Sequence, residues 1–274
     1  MNVIDIVNGL FFNALIDCDL FSESITFLHT NCNFNKKIKK RYLPSNLLKL
    51  KFGSHFNEDI EKESFPKTLI ELTFGENFNK KIEPDVLPNN IKKITFGYYY
   101  NKKIEKNVLP KKLINLIFGF NFDQEIEKDV LPLFLENLKF GSYFNKKINV
   151  KVLPDNLKTL TFGNFFNEKI EKKVLPTNLK ILYLGKNYEH VIKKNVLPNK
   201  LEILILFNQN IKLKENTIPN SLNSLIIYGY DYKFDYLTNN IKRTSRLFHN
   251  NKFISKNISF KTYDNYEECL RFFM

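Results

Sequence analysis

Apolar residues return along this chain every 22 positions. In the stretch from Leu153 to Ile170, LPDNLKTLTFGNFFNEKI, apolar and polar residues alternate from Thr159 onward. That pattern predicts a short strand with one buried face. The same inward columns hold Leu113, Leu116 and Phe118, then Leu135, Leu138 and Phe140. Strands that bury one face in each coil stack beside one another at about 4.8 Å. The expected architecture is a solenoid with one long parallel sheet, since a fixed period of this length marks stacked repeats.

The remaining columns punctuate the coil. Leu43-Pro44, Leu87-Pro88, Leu109-Pro110, Leu131-Pro132, Leu153-Pro154, Leu175-Pro176 and Leu197-Pro198 mark the beat. Phe65-Pro66 fills the one gap, and Ile218-Pro219 comes one residue early. Proline sets φ and lacks an N–H, which suits the extended return before the strand. Gly53, Gly75, Gly97, Gly119, Gly141, Gly163 and Gly185 end the strand. A tight coil is expected to use glycine both for positive φ and for close backbone approach. Three residues later an aromatic precedes Asn, as in Phe56-Asn57, Phe78-Asn79, Tyr100-Asn101, Phe144-Asn145 and Phe166-Asn167. The aromatic fills the core. The Asn satisfies backbone groups at a bend, which predicts a stacked Asn ladder along one edge. Ile60, Ile82, Ile104, Ile126, Ile148, Ile170 and Ile192 supply the next inward anchor. Too few residues remain before Leu-Pro for more than one tight helical turn.

Degenerate copies extend the count at both ends. Phe21–Ile25 lies one period before Leu43–Leu47, and Leu237–Ile241 mimics Leu87–Ile91. About eleven coils are therefore expected between residues 20 and 246. Residues 1–19 place Val3, Ile6, Val7, Leu10, Phe11 and Ala14 at helical spacing, which predicts an N-terminal helical cap. Residues 247–274 are expected to form a C-terminal cap, with a short helix over Asp264–Phe273.

The unit LPxxLxxLxFGxxFNxxI resembles the FNIP repeat, which is found in social amoebae and in giant viruses that infect amoebae. FNIP repeats are similar to leucine-rich repeats, which implies a curved or gently twisted solenoid. Family members often carry an F-box before the repeats, which docks the adaptor subunit of a cullin-type ubiquitin ligase. Here only about 20 residues precede the repeats, about half of what an F-box needs. The stretch Asp19–Cys32, DLFSESITFLHTNC, reads either as an F-box remnant or as a degenerate coil.

Composition adds less. The net charge of +13 admits a nucleic-acid partner. However, Lys, Asn, Ile, Phe and Tyr abound while Ala14 is the lone alanine, the bias of an AT-rich genome. Arginine, the residue of bidentate phosphate contact, occurs only at positions 41, 243, 246 and 271. Cys18, Cys32 and Cys269 lie far apart with no metal spacing, as in a reduced intracellular chain. Neither a signal peptide nor a membrane span is expected, and the expected location is the cytoplasm, the host's if the chain is viral. His29, His55, His190 and His249 fall in different columns, so no catalytic, metal or cofactor constellation is read. Glu61, Glu83, Glu105, Glu127 and Glu171 form a column beside Lys80-Lys81, Lys102-Lys103 and Lys146-Lys147. It reads as a solvated charge ladder rather than a cation row.

One irregularity bears on function. The outward strand residues are polar in early coils, such as Lys49 and Lys51, Glu71 and Thr73, Lys93 and Thr95. Later coils present Ile181 and Tyr183, Ile203 and Ile205, then Ser224 and Ile226. A contiguous apolar patch marks an interaction site, so Ile181, Tyr183, Ile203, Ile205 and Ile226 are the expected partner-binding residues. The alternative is that the apolar C-terminal tail, with Phe248, Phe253, Ile254, Ile258, Phe260 and Phe272, covers them. The first functional reading is a non-catalytic scaffold that binds a host or cellular protein through its sheet face. The others are a ubiquitin-ligase adaptor with a truncated F-box and a basic nucleic-acid binder.

Overall fold

The computed structural model describes residues 24–208, 211, 213 and 217–227, together with the backbone of 3–5 and 254–255. Within each coil three four-residue turns bend the chain. In one coil they run from Pro154 O to Leu157 N (3.1 Å), from Gly163 O to Phe166 N (3.4 Å) and from Glu171 O to Val174 N (3.3 Å). The three corners bring each strand back beside its predecessor. Ten parallel strands follow in chain order, from β2 (Phe27–His29) through β3 (Lys49–Lys51), β4 (Glu71–Thr73), β5 (Lys93–Thr95) and β6 (Asn115–Ile117). The row continues through β7 (Asn137–Lys139), β8 (Thr159–Thr161), β9 (Ile181–Leu184) and β10 (Ile203–Leu206) to β11 (Ser224–Ile227). Nine turns of solenoid separate these ten strands. The register advances by 22 residues per coil, as in Lys93↔Asn115, until Ile203 pairs Ser224 after 21. That shortened step matches the early Ile218-Pro219.

The ends differ from expectation. Val3–Asp5, assigned above to a helical cap, form strand β1 and pair in parallel with β2. Ile254–Ser255 form β12, antiparallel to β11. The rest of residues 1–19, the eleventh coil around Leu237–Ile241 and the helix expected over Asp264–Phe273 lie outside the described residues. Among the described residues there is no helix, and none long and apolar enough to cross a membrane.

The core is a set of columns rather than a ball. The middle residue of each strand points inward, as do the Leu after Pro, the Ile anchor and the Leu before Pro. Two columns of aromatic rings run along the axis. Phe74, Phe96 and Phe118 stack at 5.3 and 5.5 Å, and Phe78, Tyr100 and Phe122 at 5.9 and 6.2 Å. Within one coil the two columns meet face to face, as Phe118 and Phe122 do at 3.8 Å. Stacked offset rings add to the burial of apolar area itself. A shape change in one coil is therefore felt by both neighbours.

Glycine has one task here, not two. A Cβ on Gly75, Gly97, Gly119 or Gly141 would overlap the carbonyl oxygen of the glycine one coil earlier, and none of the seven lies in the left-handed φ region. The column exists because consecutive backbones touch. Positive φ falls on another column: Arg41, Glu63, Asp85, Asn107, Asp129, Lys151, Lys173 and Asn195, at φ between 61 and 68°. Each is the third residue of the turn before the Leu-Pro return, so this segment stays within the one tight helical turn expected as its limit. A non-glycine residue held there costs roughly 1 kcal/mol.

The two columns make opposite predictions. Gly119→Ala is expected to lower stability by about 3 kcal/mol or more, because backbone has to move. Lys151→Gly is expected to be neutral or stabilising by up to about 1 kcal/mol, because it relieves a left-handed residue. Urea midpoints of the two variants check both signs, and equal effects would refute the assignment.

Candidate functional site

Two rows of side chains leave the sheet on its outer face. One row is Lys49, Glu71, Lys93, Asn115, Asn137, Thr159, Ile181, Ile203 and Ser224. Its neighbours interact across strands: Lys49 Nζ lies 2.7 Å from Glu71 Oε1, and Asn137 Nδ2 donates to Asn115 Oδ1 at 2.7 Å. The other row is Lys51, Thr73, Thr95, Ile117, Lys139, Thr161, Tyr183, Ile205 and Ile226. An open groove of about 610 Å³ runs along both rows from Lys51 to Tyr183.

Burial rises steadily along the second row. Lys51 is exposed, Thr73 to Lys139 are half-buried, and Thr161 is buried. Tyr183, Ile205 and Ile226 are 2%, 0% and 6% exposed. With Phe207 they form a second apolar cluster, against which Ile181 and Ile203 pack half-buried. The expected apolar patch is therefore not an open surface. The cause is physical: a strand's alternation tells which side a residue takes, not whether that side stays in water. Along the gradient, burial holds the Lys139 ammonium below the usual lysine range.

Exposed large apolar side chains sit elsewhere. Among the described residues they are Tyr98, Tyr99, Leu133, Phe134, Tyr143, Val150 and Phe165, all in four consecutive central coils. The turn after the strand carries a continuous row of rings. Tyr98 stacks on Phe120 at 4.7 Å, Phe120 meets Tyr143 edge-on at 5.0 Å, and Tyr143 stacks on Phe165 at 4.8 Å. Tyr99 touches Tyr98 edge-on at 4.8 Å. Each ring meets a neighbour by face or edge, and Tyr98, Tyr99, Tyr143 and Phe165 keep nearly half their area in water. At the opposite end of the strands, Leu133 and Phe134 are 75% and 63% exposed. Other coils place Ser45-Asn46, Asn89-Asn90 or Asp155-Asn156 at that point. Sequence reading missed the ring row because it crosses columns: Tyr98 and Phe120 follow glycine directly, while Tyr99, Tyr143 and Phe165 come second.

The bend beyond the rings is an Asn ladder. Asn57 N donates to Asn35 Oδ1 at 2.8 Å, Asn79 N to Asn57 Oδ1 at 2.9 Å, and Asn101 N to Asn79 Oδ1 at 2.9 Å. It continues through Asp123, Asn145 and Asn167, and ends when Glu189 N donates to Asn167 Oδ1 at 3.0 Å. Asp123 fits because the rung needs only an acceptor.

The titratable groups are used for cohesion. His55 and His190 each reach a carbonyl one coil back, at Cys32 and Asn167, both at 2.9 Å. Lys37 meets Glu61 at 2.7 Å and Lys103 meets Glu127 at 2.7 Å. The hydrogen bonds from Lys103 and Lys169 hold the Glu127 and Glu171 carboxyls below the usual range. Burial pushes the Tyr188 hydroxyl up to about 12, so it stays protonated. Among the described residues no group of His, Cys, Asp and Glu is arranged to hold a metal ion.

The repeated coil decides the family. The FNIP Repeat model matches residues 12–55, 34–77, 78–121, 122–165 and 166–206. The chain belongs to the FNIP repeat family. Its first matched FNIP repeat includes Asp19–Cys32, and Phe27–His29 within that stretch form β2 of the sheet. The repeat match and that strand put Phe27–His29 in a coil, while residues 19–23 lie outside the described residues. Over 78% of its length the FNIP chain is similar to a solved structure, CroV588 from the giant virus CroV, described as a novel circular LRR protein. The two are 41% identical with a TM-score of 0.75, and the match covers 32% of the CroV588 chain. This FNIP chain thus spans about a third of the length of the solved protein it matches. No curated protein matches it. The leucine-rich-repeat-like solenoid is a fold typical of protein-interaction scaffolds and generally non-catalytic.

Lys139 gives the sheet face a pH signature. Its folded-state pKa is lowered, so between that value and the ordinary 10.5 the unfolded chain binds more protons and stability rises with pH. Lys139→Met is expected to be at least as stable as the parent at neutral pH, with the difference shrinking as pH approaches 10.5. Denaturant midpoints of both proteins across alkaline pH measure this, and a difference that widens with pH would contradict it.

Proposed function

We propose that the chain is a non-catalytic scaffold that binds a protein partner through its central coils, along the exposed ring row and the adjoining sheet face. The observation that carries this reading is the confinement of every exposed large apolar side chain described to four consecutive coils. A repeat protein needs none of them for stacking, and elsewhere the equivalent turn positions are Ser54-His55, Glu76-Asn77 and Lys186-Asn187. Tyr and Phe at half exposure are the residues enriched among interface anchors. Ring edges and hydroxyls suit a partner's apolar pocket with a polar rim. Leu133 and Phe134, across the strands, give the face a second apolar margin. Ile181 and Ile203 form its C-terminal border. Tyr183, Ile205 and Ile226, buried at that end of the same face, lie outside the surface that meets the partner.

A photo-crosslinking residue placed at Tyr99, Tyr143 or Phe134 is expected to capture the same partner from host or cell extract. One placed at Lys172, in the turn before the Leu-Pro return, is expected to capture none. The double variant Tyr99→Ser, Tyr143→Ser is expected to weaken the partner's binding by more than about 2 kcal/mol, the scale of paired interface anchors. Crosslinks confined to Lys172, or undiminished affinity of the double variant, would remove this surface.

A further inference from the structure

Ammonium groups recur on the sheet face at every second coil. Lys51 leaves β3, Lys93 leaves β5 and Lys139 leaves β7, alternating between the two outward rows. Each step along the axis is thus two coils, about 9.6 Å at the spacing of paired strands. All three lysines line the groove of about 610 Å³ that runs along the sheet. Its one carboxylate, Glu71, is held by Lys49 at 2.7 Å. Among the described residues Lys51 and Lys93 enter no ion pair, so positive charge prevails in the groove.

Lys139 is the anchor of the three. Lys51 and Lys93 are exposed, but Lys139 is half-buried, with Ile117 one coil before it in its row and Thr161 one coil after. Ile117, also half-buried, shows that the row accepts an apolar side chain at this depth, so stacking does not require an ammonium there. Burial holds that ammonium below the usual lysine range, which marks a cation kept in a place that disfavours it. An anion brought to such a place meets a charge poorly screened by water, where a charge-assisted hydrogen bond is stronger than at an open surface. Between the lysines the groove is polar and uncharged, with hydroxyls at Thr73, Thr95 and Thr159. An extended chain lying there has its own N–H and C=O groups to satisfy, and a hydroxyl can serve either.

We infer that this groove takes an extended acidic segment of a protein partner, with a carboxylate at every third residue. Three residues of extended chain span about 9–10 Å, which matches the step from Lys51 to Lys93 and from Lys93 to Lys139. The full span of four coils, about 19 Å, corresponds to seven residues with carboxylates at the first, fourth and seventh. Three consecutive acidic residues are too short to reach all three ammonium groups. The inference rests on the sheet-face reading proposed above and gives that partner its chemistry. The contacts are charge-assisted hydrogen bonds, with no covalent step.

Fluorescence anisotropy with the full chain at moderate salt tests the groove with three labelled probes. One is a Ser/Thr peptide with Glu at its first, fourth and seventh positions, one carries the same three Glu consecutively, and one is an oligodeoxythymidine. The spaced peptide is expected to bind saturably, about tenfold or more tighter than the consecutive one, at the scale of one charge-assisted hydrogen bond. Lys139→Met is expected to weaken the spaced peptide by about tenfold or more, while its unfolding midpoint stays at or above the parent's. Lys93→Glu is expected to lose the spaced peptide and to regain affinity for a version with Lys at the fourth position. Lys172→Gln, outside the groove, is expected to bind like the parent. Equal affinity for the two peptides, equal losses in the Lys172 and Lys139 variants, or tighter binding of the oligodeoxythymidine than of the spaced peptide overturns this assignment. Spaced-peptide binding that persists while the ring-row crosslinks fail would overturn the ring-row surface alone.

Discussion

Consecutive coils touch backbone to backbone at the glycine column, and the other regularities follow from that contact. No side chain separates Gly97 from Gly119 or Gly119 from Gly141, so the coils approach as closely as sheet pairing allows. Once that distance is set, everything at equal height in the coil must stack on its own kind. Phenyl rings meet phenyl rings, each Asn meets the next coil's N–H, and strand residues pair at a constant offset. The contact is local, since each coil meets only its two neighbours. Stability is thus a sum over interfaces rather than the property of one core.

This arrangement makes each column select for a single chemical function. A ladder rung needs an acceptor, so Asp123 serves where other coils carry Asn. The second ring column needs a flat apolar face, so Tyr100 and Tyr188 serve where others carry Phe. The Val column before Leu-Pro needs a small inward group. Ser64 serves there because its hydroxyl finds the Ile38 carbonyl at 2.8 Å. Substitutions that keep the function of the column leave the period intact, while those that do not mark its ends. Phe207 stands where glycine is required, and the glycine column stops with it.

The inward half of the molecule was legible because a repeated constraint writes itself repeatedly. Strands, ring columns and the Asn ladder each depend on one residue type at one offset, and that offset recurs. Two things escaped, and a third was left open between an exposed and a covered patch. The left-handed column carries Arg, Glu, Asp, Asn and Lys, since the turn imposes its φ and any side chain that tolerates water can bear the cost. The ring row changes column between Phe120 and Tyr143, so a column-by-column reading divides it. The burial of Tyr183, Ile205 and Ile226 depends on what lies over the sheet, and strand periodicity is silent about that. The N-terminal helical cap fails at Val3–Asp5 for a related reason. Val3, Ile6 and Val7 fit a helical spacing, but Val3–Asp5 lie beside the open edge of β2, and an unpaired sheet edge recruits strand.

Functional signal in such a chain therefore has to be sought in what stacking does not explain. Stacking accounts for every buried column and for most ion pairs, which alternate in sign from coil to coil as mutual repulsion requires. It does not account for rings that meet one another outside the core and leave nearly half their area in water. Exposed apolar rings carry a cost that the same solenoid avoids in its other coils. The rings lie on the outer surface of coils whose interiors follow the repeat closely. That separation is what the glycine contact permits: with the interior held by columns, the outward positions of any one coil are free to change without disturbing the next.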